Sequence, residues 1–238
     1  MGPVYIVGAG PGDPDLITVR GNELLRSADV LIYTGSLVSR ALVARSPAAV
    51  KVNSHGMHLA DLVSLMEEHA RAGKTVVRLH SGDPSLFGAI VEQIAGLRER
   101  GIDAVIVPGV SSMNAAAAAL RTQLTLKDVA EALIVARPAG KTLESDEIRE
   151  FSRHRATLVI FLGTEHLEEI LSRVEYPPST PAAVVYHVSW PDQKIVTGTV
   201  ADVAGKARAA GITKTALLIV GGVVDPLSTE RRRSVLYS

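Results

Sequence analysis

Short apolar runs alternate with amphipathic stretches along the chain. Val4-Tyr5-Ile6-Val7, Val30-Leu31-Ile32-Tyr33, Thr75-Val76-Val77-Arg78-Leu79 and Ala104-Val105-Ile106-Val107 read as buried strands. Between them, Leu62, Leu65, Met66 and His69 recur at intervals of three and four, which predicts a helix over 59–72. Ile90, Ile94 and Leu97 predict another over 85–100. Alternation of this kind implies an α/β fold with a mainly parallel sheet and helices on its faces.

The second half keeps the rhythm with one variation. Leu133–Ala136, Thr157–Phe161, Ala182–Tyr186 and Leu217–Val220 read as strands, with helices near 146–154, 165–174 and 200–210. Lys194–Thr199 adds a strand after a Trp190-Pro191-Asp192 turn, so this half is expected to be a mixed sheet. The natural boundary follows the alanine-rich helix 112–120, giving domains 1–121 and 122–238 and a ligand cleft between them. No repeat or low-complexity linker interrupts either half.

Composition narrows the chemistry. Aromatics are only 4% of the chain, so the core is aliphatic. The formal net charge is +0, which argues against a general nucleic-acid binder. The absence of cysteine excludes disulfides, thiolate metal sites and thiol nucleophiles. The start enters a strand directly, and no run of 18 apolar residues occurs, so a cytoplasmic protein without membrane segments is expected.

The first strand runs into Gly8-Ala9-Gly10-Pro11-Gly12-Asp13-Pro14-Asp15. A dinucleotide fingerprint needs glycine where Asp13 stands. Pro11 and Pro14 remove N–H groups that would hold a phosphate, and the two aspartates would repel it. No Gly-Lys-Ser/Thr follows, so a P-loop fails too. The loop suits close backbone approach to a neutral or cationic ligand such as a sulfonium. It equally suits a plain strand-to-helix turn capped by Asp15 or Thr18.

This loop, continued through Leu16-Ile17-Thr18, resembles the opening signature of the tetrapyrrole methyltransferase family. His80-Ser81-Gly82-Asp83-Pro84-Ser85-Leu86-Phe87-Gly88 resembles the family's Gly-Asp-Pro loop, and Val107-Pro108-Gly109-Val110-Ser111-Ser112 a third motif. The order and spacing agree along nearly the whole chain. Tyr186-His187-Val188-Ser189-Trp190-Pro191-Asp192-Gln193 is similar to a segment of the precorrin-4 C11-methyltransferases within that family, with Gln193 where an acidic residue is expected.

The resemblance implies two α/β domains, a homodimer, and S-adenosyl-L-methionine bound in the cleft, leaving as S-adenosyl-L-homocysteine. Its cofactor contacts fall on Pro11, Ser81, Gly82, Asp83, Leu86, Ser111 and Ser112, then on Leu162, Tyr186, Thr215 and Ala216. Asp83 before Pro84 reads equally as the N-cap of helix 85–100, and Ser111 as a simple cap of the next helix.

The implied substrate, a corrin-type tetrapyrrole, carries many carboxylates. Arg78, His80 and Arg137 are the basic candidates for it, with Arg121 and Lys141 behind them. Each reads equally as a surface charge, and Arg231-Arg232-Arg233 as a solvated tail. His55 and His58 lie in a loop without a completing ligand, so no metal is expected. The sulfonium is already an activated electrophile, so positioning alone can supply ~7–11 kcal/mol and no nucleophilic side chain is required. The catalytic base stays unassigned among Asp83, His80 and Tyr186. Methylation at another ring position, or on a diphthamide precursor, and a non-catalytic relative are the competing functions.

Overall fold

The computed structural model describes residues 1–140 and 143–225. The chain divides into two compact units, Met1–Ser112 and Met113–Ser238. The division precedes the alanine-rich helix rather than following it at 121. The reason is packing: Ala115, Ala116 and Ala117 of that helix are buried with Val159, Ala183, Val185, Leu217 and Ile219 of the second unit.

The first unit holds strands β1 (Val4–Gly8), β2 (Val30–Tyr33), β3 (Val50–Asn53), β4 (Val76–His80) and β5 (Ala104–Val107). They form one sheet in the order β3-β2-β4-β1-β5, and every pairing is parallel. The inner strands β1, β2 and β4 are covered on both faces, which is why they read as nearly unbroken apolar runs. Val7, Leu31, Val77 and Leu79 pack on one face with Leu24 and Leu25 of α1 (Val19–Ser27) and Leu42 of α2 (Arg40–Ala44). Val4, Val30, Ile32 and Val76 pack on the other with α3 (Leu59–Arg71) and Leu97 of α4 (Ile90–Glu99).

The second unit holds β6 (Leu133–Ala136), β7 (Thr157–Ile160), β8 (Pro181–Tyr186), β9 (Lys194–Thr199) and β10 (Ala216–Val220), in the order β6-β7-β10-β8-β9. The sheet is mixed: β6 and β7 are parallel, whereas β10 is antiparallel to both neighbours and β9 to β8. Helix α5 (Ser112–Ala119) covers the face of Val159, Val185 and Ile219. The opposite face, with Leu158, Val184 and Leu218, packs against Ile148 of α6 (Ile148–Ser152), Ile170 of α7 (Leu167–Arg173) and Val203 of α8 (Val203–Ala209). The strict alternation of partners along each strand is the period-two rule at work.

One expected helix is shorter at its start. Residues 84–87 form a turn, and α4 begins only at Ile90. Phe87 and Ala89 hold left-handed backbone, φ 53° and 46°, which no α-helix accommodates. Among the described residues no helix is long and apolar enough to cross a membrane.

Candidate functional site

The parallel sheet of the first unit sends three loops from the carboxyl ends of β1, β4 and β5, where open α/β sheets take ligands. These loops are fastened to one another. Ala9 N–H donates to the His80 carbonyl at 2.7 Å, and Gly10 and Gly82 exchange backbone hydrogen bonds of 3.2 and 2.8 Å. A Cβ on Gly109 would lie 2.3 Å from the Gly82 carbonyl oxygen, so only glycine permits this approach. Gly82 has φ +62°, and a Cβ there would make only ordinary van der Waals contact, nearest to Ser112 N at 3.7 Å.

Asp83 completes the fastening. One carboxylate oxygen accepts from Ser85 N–H at 2.8 Å and from the Ser85 hydroxyl; the other accepts from Gly109 N–H at 2.8 Å. Burial opposes its charge, but these donors outweigh it and hold the carboxyl below its usual range. Asp83 is therefore not the N-cap of α4, whose cap position is Ala89. It is the strut between the second and third loops. In the first loop Thr18, not Asp15, caps α1, accepting from Gly21 N–H at 3.1 Å. Asp15 instead pairs with Arg45 at 2.6 Å.

Around this knot lie the sequence candidates of the first unit. Pro11 is buried beneath the first loop, and Ser81 and Leu86 are half-buried in the second. Ser111 is buried and Ser112 opens α5, whose first-turn N–H groups point out of the helix start. Arg78 lies deeper than a substrate contact at the surface would. Only 7% exposed, it donates to the Leu79 carbonyl and Thr34 hydroxyl at 2.8 and 3.2 Å, and its Nε has no partner. Burial lowers its pKa to about 10. Burial also lowers that of His80, against the hydrogen bond between its Nδ1 and the Ser81 carbonyl at 2.8 Å.

The candidates of the second unit gather at one end of its sheet. Arg137 follows β6, Leu162 follows β7, and Tyr186 ends β8 opposite Ala216, the first residue of β10. Thr164 ties two of these segments, its hydroxyl donating to the Ala216 carbonyl and accepting from Ala216 N–H, both at 3.0 Å. Leu162 has φ +57° and is 68% exposed, a strained leucine displayed to solvent. Thr215, His187 and Ser189 are also left-handed, with φ 56°, 43° and 66°. Of nine left-handed non-glycine residues among those described, six lie in these two places, counting Phe87 and Ala89. Such strain persists where surrounding structure enforces it, and it concentrates at functional sites.

Sequence reasoning passed over His187. Its ring stacks on Tyr186 with centroids 3.9 Å apart, and Trp190 lies 5.3 Å away. Its Nδ1 is 3.0 and 3.1 Å from the two oxygens of Asp192. That hydrogen bond is the main reason the Asp192 carboxyl sits below its usual range, and the Tyr186 hydroxyl adds to it. The signal was the turn itself, whose tryptophan and aspartate follow a histidine by three and five residues. Lys141 and Arg231 to Arg233 lie outside the described residues, and Arg121 is an exposed residue after α5. No group of three potential metal ligands occurs among the described residues. A cavity of about 550 Å³ on the α7–α8 side is lined by charged groups already engaged with one another, such as Arg208 with Glu168.

A parallel and a mixed sheet, each bearing a strained or glycine-fastened end, define a class, and the chain belongs to it: residues 3–204 match the model of the tetrapyrrole (corrin/porphyrin) methylases. Among relatives, it is 47% identical over 229 residues to the cobalt-precorrin-4 C(11)-methyltransferase of Methanocaldococcus jannaschii, covering 94% of this chain and 88% of that one. The X-ray structure of the cobalamin biosynthetic enzyme cobalt-precorrin-4 methyltransferase, CbiF, superposes with a TM-score of 0.90 at 43% identity, over 94% of this chain and 96% of that one. Uroporphyrin-III C-methyltransferase from Thermus thermophilus, complexed with S-adenosylhomocysteine, gives a TM-score of 0.80 at 31% identity over 96% of each chain.

Proposed function

We propose that the chain is an S-adenosyl-L-methionine-dependent methyltransferase that methylates C11 of precorrin-4, as the free macrocycle or its cobalt complex, in cobalamin biosynthesis. The observation that carries this reading is the full-length likeness to an enzyme of that name. The residues fit the donor on two counts visible in the fold. Gly82, left-handed and without a side chain, exposes its backbone beside the N-terminus of α5. Leu162 offers an exposed apolar surface that an adenine or thioether would cover.

The bound donor supplies an electrophilic methyl group on positively charged sulfur. Pro11, Ser81, Gly82, Asp83, Leu86, Ser111 and Ser112 of the first unit, with Leu162, Tyr186, Thr215 and Ala216 of the second, are the residues proposed to hold it. Gly82 admits it to the backbone, and Asp83 acts by keeping the second and third loops in register. The first-turn N–H groups of α5 suit the methionine carboxylate. Leu162 provides an apolar wall, and exclusion of water there favours loss of charge from sulfur. His80 and Arg137 are proposed for the substrate carboxylates. Arg78, buried beneath, is proposed to act on that face as a fixed positive charge.

We also infer a cytoplasmic homodimer. The exposed Val105 and Ile106 on the edge strand β5 support self-association. Incubation with S-adenosyl-L-methionine and precorrin-4, with and without cobalt, tests the reading. A mass gain of one methyl group located at C11 by NMR is expected, and methylation at another carbon would redirect the assignment. Sedimentation velocity reads the dimer.

A further inference from the structure

We propose that His187 is the base that accepts the proton released when the macrocycle is methylated, with Asp192 as its positioning residue. The inference rests on the methyltransferase reading above and adds a residue to it.

The geometry is that of an oriented imidazole. An ionised carboxylate only accepts hydrogen bonds, so Nδ1 of His187 carries the proton toward Asp192. In the neutral ring the basic lone pair then lies on Nε2, which has no hydrogen bond among the described residues. Stacking on Tyr186 fixes the ring plane, and Trp190 approaches from the turn. The backbone holds this pose at a cost. His187 and Ser189 are both left-handed without being glycine, and the turn is locked by Trp190 N–H on the His187 carbonyl at 2.9 Å and Ser189 N–H on the Gln193 side chain at 2.7 Å. A carboxylate-held histidine on an enforced left-handed residue is more than a surface ion pair requires. It stands one residue beyond Tyr186, at the sheet end that also bears Leu162, Thr215 and Ala216.

Other charges around the ring do not take its place. Lys194, paired with Tyr186 across the strands, sends its ammonium to the Ala210 carbonyl at 3.0 Å. Lys214 lines the cavity on the α7–α8 side. Asp192 and the Tyr186 hydroxyl are the titratable groups bonded within the cluster.

The step balances as follows. A macrocycle carbon uses an electron pair to bond the methyl group of the sulfonium donor, and the carbon–sulfur bond breaks with its pair remaining on sulfur. The macrocycle has thereby gained one positive charge. It returns to its former charge by releasing one proton, which Nε2 of His187 accepts and later yields to water.

His187→Asn is the direct test, because asparagine tolerates the left-handed backbone. Asp192→Asn tests the same pair through the other partner and keeps an acceptor for Nδ1. Trp190 is the only tryptophan in the chain, so fluorescence excited selectively at tryptophan, past the absorption of the five tyrosines, reports this turn alone. The His187 ring lies 5.3 Å from Trp190, so its removal is expected to change the Trp190 emission of the free protein. In turnover, His187→Asn should lower kcat by ~10²- to 10⁴-fold and flatten the acid limb of its pH profile. KM and the calorimetric affinity for the donor should stay unchanged. Asp192→Asn should lower kcat less and shift that limb. A Trp190 emission unchanged in His187→Asn, an unchanged kcat and pH profile, or a loss confined to KM would each overturn the proposal. A wild-type chain that fails to methylate the macrocycle would instead overturn the functional reading, and the base with it.

Discussion

The two sheet ends reach rigidity by different means. In the first unit the loops after β1, β4 and β5 are fastened by absence of side chains: Gly8, Gly82 and Gly109 touch backbone to backbone, and Asp83 bridges the remaining gap. In the second unit, side chains are present where glycine would be easier. Leu162, His187, Ser189 and Thr215 hold left-handed backbone, and Leu162, His187 and Thr215 carry groups proposed to act. Each such residue costs roughly 1–2 kcal/mol. The first end is thus a cradle built on glycine contacts, with left-handed Phe87 and Ala89 at its margin, and the second displays particular side chains at a cost in stability.

The sharpest way to break the first half of this comparison is Gly109→Ala. The new methyl would lie 2.3 Å from the Gly82 carbonyl oxygen and 2.8 Å from the Gly8 Cα, both backbone. A loss of about 3 kcal/mol in chemical denaturation is expected, in the upper range for overpacking. Donor affinity should disappear by calorimetry. Gly82→Arg separates the two effects, since its Cβ meets nothing closer than 3.7 Å. It should cost only ~1–2 kcal/mol of stability through its left-handed backbone. Donor affinity should nevertheless fall ~100-fold or more, about 2.7 kcal/mol. Unchanged affinity would remove Gly82 from the site.

The contrast also explains how much of the molecule was legible in its sequence. Strands buried on both faces announce themselves, and the mixed character of the second sheet followed from the strand after Trp190-Pro191-Asp192. The glycine cradle was legible because glycine marks close approach. Strand β3, Val50-Lys51-Val52-Asn53, was not, because it alternates polar residues over only four positions. Asp83-Pro84-Ser85 has the composition of a helix start. What delays the helix is Phe87 and Ala89 in left-handed backbone, and neither residue type signals that conformation. The strained end of the second sheet was hidden for the same reason: tertiary packing, not local preference, imposes it.

Leu162 gives the middle-sized test and probes the second half directly. Leu162→Gly relieves ~1–2 kcal/mol of backbone strain but adds ~0.5–1 kcal/mol of unfolded-state entropy. Thermal stability should therefore hold or rise slightly. Donor affinity should drop ~10- to 100-fold, because an apolar side chain worth ~1.5–3 kcal/mol of burial is lost. A variant that loses stability and keeps affinity would reverse the argument, making Leu162 a structural residue rather than a displayed one.

The smallest expected effect is electrostatic and returns to the first end. The Asp83 carboxyl is held below its ordinary value of 3.8 in the folded chain. A depressed carboxylate contributes stability that is fully present above its unfolded value and is lost as pH falls through the folded one. Asp83→Asn should therefore be less stable than wild type at neutral pH, by about 1 kcal/mol for partly solvated hydrogen bonds. The gap should close as both proteins are taken well below pH 3.8, where the wild-type carboxyl is also uncharged. Urea denaturation at a series of pH values reads it. A gap that persists undiminished into acid would mean that Asp83 fastens the loops by shape alone, and that the charge on the strut is incidental to the cradle.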